Sequence, residues 1–163
     1  MGRSQILKEI DVFTDGSAVN QIPLDQRVGG FSGLILLEGK EQVVCGALLG
    51  LTSQQAELMA VIVSLDFLLK TGEKDIRVNV YSDSTYIVNC FRERWYENWD
   101  RSGWFDVKNE EYWKVLLALV FDCGFCLTFN WIKGHNGNSF NEKVDSLAKK
   151  ARKDLEECLK KIT

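Results

Sequence analysis

Residues 51–84 read LTSQQAELMAVIVSLDFLLKTGEKDIRVNVYSDS, and this stretch decides what kind of sheet the chain builds. Thr52 followed three residues later by Gln55 has the form of a capping box, so a helix starts here. From Leu58 to Val63 there is no polar residue, the mark of a helix buried on most of its sides. Gly72 stops it. The segment DIRVNVYSDS that follows (75–84) is a strand ending in a carboxylate, Asp83.

Upstream, IDVFTDGSA (10–18) is another strand and turns at Asp15-Gly16. NQIPLDQRV (20–28) is polar, holds the only proline, Pro23, and reads as a loop. GGFSGLILLEGKEQVVCGALLG (29–50) divides at Glu38-Gly39-Lys40 into the two arms of a hairpin. Downstream, residues 85–121 read as several short, tryptophan-rich helices, and FCLTFNWI (125–132) is a fifth strand by its β-branched and aromatic content. NEKVDSLAKKARKDLEECLKK (141–161) is a closing amphipathic helix, with Val144, Leu147, Ala148, Ala151, Leu155 and Leu159 on one side. The order is β-β-β-α-β-α-α-α-β-α. Hairpins first and a βαβ unit after them predict an α/β fold, a mixed five-stranded sheet of three antiparallel strands and then parallel ones, with helices on both faces.

The bulk numbers narrow the class. A chain of 163 residues, 45% hydrophobic and 26% charged, has the size and composition of one globular domain. A net charge of -3 excludes a whole-chain basic excess, so a polyanionic partner must be held by local patches or through metal ions. Five cysteines, an odd number, behind a start (MGRSQILKEI) without a signal-length apolar run, predict reduced thiols and a cytoplasmic location. Cys123 and Cys126 form a lone CxxC; zinc would need two more ligands, and the one histidine lies on another loop, so ordinary thiols are the better reading. No apolar stretch reaches the ~20 residues of a membrane span. Met1 and the short leader predict a free-standing protein, and a monomer is the expected state.

Four carboxylates stand out. Asp15 and Asp83 each close a strand at its C-terminal end, where ligand sites of α/β sheets gather. Asp-Gly and Asp-Ser are also common turn dipeptides, so neither decides anything alone. Glu57 introduces the most hydrophobic helix of the chain, and Asp145 sits between Val144 and Leu147-Ala148 near the start of the last one. Both are drawn toward the sheet by their apolar neighbours, and a carboxylate buried there needs a proton, a basic partner or a metal. Four acids from two strand ends and two helix starts could meet at one spot. Hard oxygen ligands with almost no histidine suit Mg²⁺, and two such ions about 3.5–4 Å apart can clamp the attacking and leaving oxygens of a phosphodiester.

At this point the sequence resembles type 1 ribonuclease H (ribonuclease HI), from about residue 10 to 151. The carriers are FTDGSA, QQAELMAVIVSL, VYSDSTYIV, NWDRSGW and WIKGHNGNSFNEKVDSLAKKA, in that order and spacing. The resemblance implies a single ribonuclease H domain over 1–163. It implies an endonuclease that hydrolyses the RNA strand of an RNA–DNA hybrid with two Mg²⁺ (Mn²⁺ substituting), leaving 3′-hydroxyl and 5′-phosphate ends. It assigns the metal ligands to Asp15, Glu57, Asp83 and Asp145, and the mobile-loop histidine to His135, the only one in the chain, within WIKGHNGN (131–138). An imidazole with a pKa near 6.5 can help the attacking water lose its proton or help the 5′-phosphate leave. A solvent-exposed histidine with no task is the bland reading, which the family context disfavours.

The same resemblance distributes the substrate contacts. Gly16 and Ser17 follow the first aspartate. Thr52, Ser53 and Gln54 precede the glutamate, where 2′-hydroxyl contacts tell RNA from DNA. Ser53 replaces the usual asparagine and Gln55 the usual arginine. Asn20 serves the same groove from a loop, 20–28, that is longer than usual. Ser84, Tyr86, Trp95 and Trp99 fall on the DNA side, and Asn141 precedes Glu142 on the last helix. Four of the five tryptophans (95, 99, 104 and 113) lie within nineteen residues; stacking on nucleic acid fits Trp95 and Trp99, and core packing fits Trp113. The handle departs from the lysine-rich form: Arg92, Arg94, Arg101, Lys108 and Lys114 face Glu93, Glu97, Asp100, Asp106, Glu110 and Glu111. Weak hybrid binding and a shallow salt dependence follow from that balance.

Three rivals share some of these features. A transferase or exonuclease of the same fold would lack the KGH loop and the tryptophan-rich handle. An idle binding module has no use for four carboxylates. An α/β protein with purely structural acids would not gather them.

Overall fold

The computed structural model describes residues 7–134, 137 and 139–162. Its centre is β1 (Lys8–Ala18), which is hydrogen-bonded on both sides. On one side it pairs antiparallel with β2 (Val28–Leu37), with Asp15 opposite Ser32, and β2 pairs antiparallel with β3 (Lys40–Leu49). On the other side it pairs parallel with β4 (Ile76–Ser82), Val12 opposite Val80, and β4 pairs parallel with β5 (Cys126–Trp131). The sheet order is β3-β2-β1-β4-β5, the mixed five-stranded sheet expected from the sequence. The β2–β3 hairpin turns on Glu38 and Gly39, both with positive φ (53° and 73°), as a two-residue turn matching the strand twist requires.

Among the described residues five helices flank the sheet: α1 (Ser53–Lys70), α2 (Thr85–Arg92), α3 (Trp95–Arg101), α4 (Glu110–Asp122) and α5 (Ser139–Ile162). The capping box at the head of α1 forms on both sides, Thr52 Oγ1 accepting from the Gln55 N–H at 3.1 Å and the Gln55 side chain from the Thr52 N–H at 3.0 Å. One sheet face is closed by α1. Ile10, Val12, Ile35, Val78 and Val80 meet Leu58, Val61, Leu65 and Leu68 there, together with Ile87 of α2 and Trp113 and Leu116 of α4. The other face is closed by α5, where Phe13 and Leu34 meet Val144. Buried side chains therefore point both ways from β1, and residues 12–15 are buried without a break instead of alternating with exposed ones.

Ser32 Oγ of β2 donates to the Val144 carbonyl at 2.7 Å, and Gly30 has room for no side chain because a Cβ there would lie 2.1 Å from the Ala148 carbonyl oxygen. These contacts fix the depth and register of α5 beside the C-terminal half of β1. The residues expected on its inner side are buried at 144 and 148 and half-buried at 147, 151, 155 and 159. Among the described residues no helix is long and apolar enough to cross a membrane.

Candidate active site

Three of the predicted carboxylates meet where β1 and β4 end. Asp15 lies near the end of β1 and is only 4% exposed; Glu57 is one turn into α1; Asp83 immediately follows β4. One oxygen from each can be chosen so that all three lie within 4.8 Å of one another. The close approach of α1 depends on Gly16. A Cβ there would stand 2.4 Å from the Glu57 backbone nitrogen and 2.5 Å from the Ala56 carbonyl carbon. Glycine at 16 thus lets the helix bearing Glu57 settle against the strand bearing Asp15. The Gly16 N–H also donates to Asp15 Oδ1 at 2.9 Å.

Burial pushes the Asp15 carboxyl up to about 7; a hydrogen bond with Glu57 and the Gly16 N–H pull it down, while Asp83 and Asp145 push it further up. Glu57 is raised well above the ordinary carboxylate range by burial first and by Asp15 and Asp83 next. No basic side chain figures in either balance. Among the described residues, Glu57 Oε2 is buried without a hydrogen-bond partner. Three hard oxygen donors within reach of one another, one of them Glu57 with an orphaned oxygen, form a donor set that fits a divalent metal.

Asp145 stands apart from this trio. It is close enough to act on Asp15, but its Oδ2 pairs with Lys149 Nζ at 2.8 Å, one turn along α5. His135 lies outside the described residues. The segment leading to it is anchored at Asp83: Trp131 Nε1 donates to the Asp83 carbonyl at 3.2 Å, and Gly134 sits so close that a Cβ would come within 2.9 Å of Asp83 Oδ2.

Two of the residues expected on the RNA side are joined directly. Ser53 Oγ donates to Asn20 Oδ1 at 2.8 Å, which brings the long loop to the head of α1. Arg27 holds that loop closed, its guanidinium donating to the Asn20 and Ile22 carbonyls at 2.7 and 2.9 Å. Gln54 is exposed, and Thr52 is engaged as the helix cap. Ser17, half-buried, accepts from Arg152 Nε at 3.1 Å. Asn141 is 3% exposed, inside the packed start of α5.

On the other side, Ser84 caps α2, accepting from the Ile87 N–H at 3.3 Å. The Tyr86 hydroxyl accepts from Trp113 Nε1 at 2.6 Å and from Asn109 Nδ2 at 3.2 Å. Trp113 is fully buried, as expected of a core residue. Trp95 and Trp99 are half-buried, linked edge-on to each other at 6.4 Å, with Trp95 tilted against Tyr86 and Trp99 against Trp113 and Trp104.

Sequence reasoning missed Asn109. Its side chain also accepts from Gln55 Nε2 at 3.2 Å and donates to Gln54 Oε1 at 3.4 Å, joining the head of α1 to Tyr86. A signal for it existed: asparagine tolerates the left-handed conformation (φ 59°) and stands just before Glu110-Glu111, the acidic first turn of α4.

A mixed sheet in this order, with an acidic cluster at the adjoining ends of its central parallel pair, defines the ribonuclease H-like class. The RNase H family profile matches residues 7–153. A ribonuclease H of Syntrophomonas wolfei is 34% identical over 154 residues, spanning 91% of this chain and 99% of that one. A ribonuclease HI of Helicobacter pylori is 34% identical over 143 residues, spanning 88% and 92%. The crystal structure of LC11-RNase H1 in complex with an RNA/DNA hybrid superposes with a TM-score of 0.69 at 22% identity, covering 90% of this chain and 98% of that one. The chain belongs to the RNase H family and is a nuclease of that class.

Proposed function

We propose that this protein is an endonuclease that hydrolyses the RNA strand of RNA–DNA hybrids, with two Mg²⁺ ions as cofactors and Mn²⁺ able to substitute. The observation that carries the reading is the trio Asp15, Glu57 and Asp83, whose carboxylate oxygens come within 4.8 Å of one another at the strand ends of a family member, with burial raising Asp15 and Glu57. Asp15, Glu57 and Asp83 would hold the cations, joined by Asp145. The Lys149 pair that occupies Asp145 is a part-buried i,i+4 contact within one helix, with Lys149 itself half in solvent, so Asp145 can exchange it for a cation at modest cost. Bound there, divalent ions supply positive charge to the attacking and leaving oxygens of an in-line displacement.

The chain's own groups do the rest. Thr52, Ser53, Gln54, Asn20, Gly16 and Ser17 face the RNA strand, and hydrogen bonds to its 2′-hydroxyls select it over DNA. Ser84, Tyr86, Trp95 and Trp99 meet the DNA strand, and Asn141, at the start of α5, completes the substrate-binding set. His135 moves a proton at the attacking water or at the departing 5′-phosphate, leaving 3′-hydroxyl and 5′-phosphate ends. The reading takes 1–163 as a single ribonuclease H domain, monomeric and cytoplasmic; five free cysteines support a reducing compartment.

One gel tests it. Labelled hybrid, double-stranded RNA and double-stranded DNA are incubated with Mg²⁺ or with EDTA. Cleavage of the hybrid's RNA strand alone, and only with Mg²⁺, is expected. Cleavage in EDTA, or equal cutting of all three duplexes, would overturn the proposal.

A further inference from the structure

Arg152 lies on α5, nearly two turns beyond Asp145, in a stretch that carries no catalytic residue. Its side chain is nonetheless only 12% exposed. Its backbone nitrogen and Cβ pack on Gly30, and its guanidinium is split between two partners: Nη1 pairs with Glu156 at 2.8 Å, and Nε donates to Ser17 Oγ at 3.1 Å. Ser17 is 135 residues away in sequence and two residues after Asp15 on β1.

This arrangement controls what the serine can do. A hydroxyl has one proton to donate and two lone pairs to accept with. Here an accepting position is filled by a charged donor, and no acceptor for the Ser17 proton is present among the described residues. A hydroxyl that accepts from a guanidinium is polarised and becomes a stronger donor in turn. The Glu156 pair holds the planar guanidinium in place, so the serine does not need to be ordered again when substrate arrives.

We propose that Arg152 is a positioning residue for substrate: held by Glu156, it orients the Ser17 hydroxyl to donate to an acceptor oxygen of the RNA strand beside the carboxylate cluster. The inference rests on the hybrid-nuclease reading and adds a residue to it that touches neither substrate nor cation. Its consequence is a binding effect. Arg152 stabilises substrate equally before and during the chemical step, so its loss raises KM and leaves kcat nearly unchanged.

The test is steady-state cleavage of a labelled hybrid by the wild type, Arg152→Ala, Arg152→Lys, Ser17→Ala and the double variant Arg152→Ala/Ser17→Ala, with circular dichroism confirming the fold. Arg152→Ala and Ser17→Ala should each raise KM about three- to tenfold, the size of one indirect charged hydrogen bond, with kcat within about twofold. The double variant should be no worse than the weaker-binding single one, because both remove the same interaction. Lysine at 152 should restore part of the loss. Additive effects, a fall in kcat with KM unchanged, or an unaltered Arg152→Ala would overturn the inference. Should Arg152→Ala fail to fold, Glu156→Gln, which frees the guanidinium without emptying the site, must show the same KM rise or the inference fails. A wild type that leaves the hybrid intact sinks the nuclease reading; a wild type that cuts it while Arg152→Ala matches it sinks only the role of Arg152.

Discussion

Replacing Asp15 by asparagine should stabilise the metal-free protein at neutral pH while destroying its activity. Burial and two like charges raise the folded-state pKa of Asp15 from 3.8 to about 7. The sign follows from proton counting. Between those values the native state binds more protons than the unfolded one, so stability falls as pH rises through the interval. Three units at 1.36 kcal/mol each set a ceiling of about 4 kcal/mol over the whole range. Between about pH 5 and pH 7.5 the same linkage gives a loss of about 2–3 kcal/mol. Asparagine keeps the shape and cannot ionise, so the variant escapes that loss.

For a domain of this size ~2 kcal/mol corresponds to about 4–8 °C in Tm. The assay is thermal unfolding in EDTA at the two pH values. Relative to wild type, Asp15→Asn should gain several degrees on going from pH 5 to pH 7.5, and saturating Mg²⁺ should then stabilise the wild type alone. Glu57, shifted the same way by burial and by Asp15 and Asp83, leaves some of the slope in the variant. A variant that gains nothing between the two pH values, or a wild type whose stability rises over this interval, would refute the electrostatic account of the cluster.

Other outcomes follow from the same geometry. Asp83→Asn should nearly abolish cleavage, whereas His135→Ala, which removes an auxiliary proton carrier, should lose about 10²-fold or less in kcat; equal losses in a single-turnover assay would contradict that division. Gly16→Ala places a Cβ 2.4 Å from the Glu57 nitrogen. Something in α1 must shift, so about 1–3 kcal/mol of stability and most of the activity should be lost together, as read by urea unfolding and hybrid cleavage. Hybrid affinity should depend shallowly on salt. Segment 92–114 carries one more acid than base, Arg94 is paired with Glu97, and Lys114 is paired with Glu110. A log K against log salt slope of about −2 to −3 is expected, and one near −6 or steeper, as for a protein with many phosphate contacts, would contradict it.

Local pattern made much of this architecture legible. The capping box at Thr52 and Gln55, the turn at Glu38-Gly39 and the carboxylates closing two strands are each encoded by neighbours in sequence, and the structure carries all of them. Order along the chain then fixes which strands can pair. Side-chain partnerships formed by docking were out of reach. Whether Asp145 faces the cluster or Lys149 depends on the rotation of α5 over the sheet, which Ser32 and Gly30 set from another strand. The Arg152–Ser17 contact spans 135 residues, and no periodicity announces it. The family resemblance makes Gly16 a substrate residue and is silent on its packing. Its closeness to the backbone of α1 became visible only once strand and helix were in contact.

The central claim is that the acids at 15, 57 and 83 are gathered to hold divalent cations. Titration of the metal-free protein with Mn²⁺, followed by electron paramagnetic resonance of the free ion, measures this without substrate. The account predicts that wild type removes Mn²⁺ from solution competitively with Mg²⁺, and that Asp15→Asn and Asp83→Asn each weaken the uptake at least tenfold. Uptake unchanged by both substitutions would mean that the cluster is not the cation site.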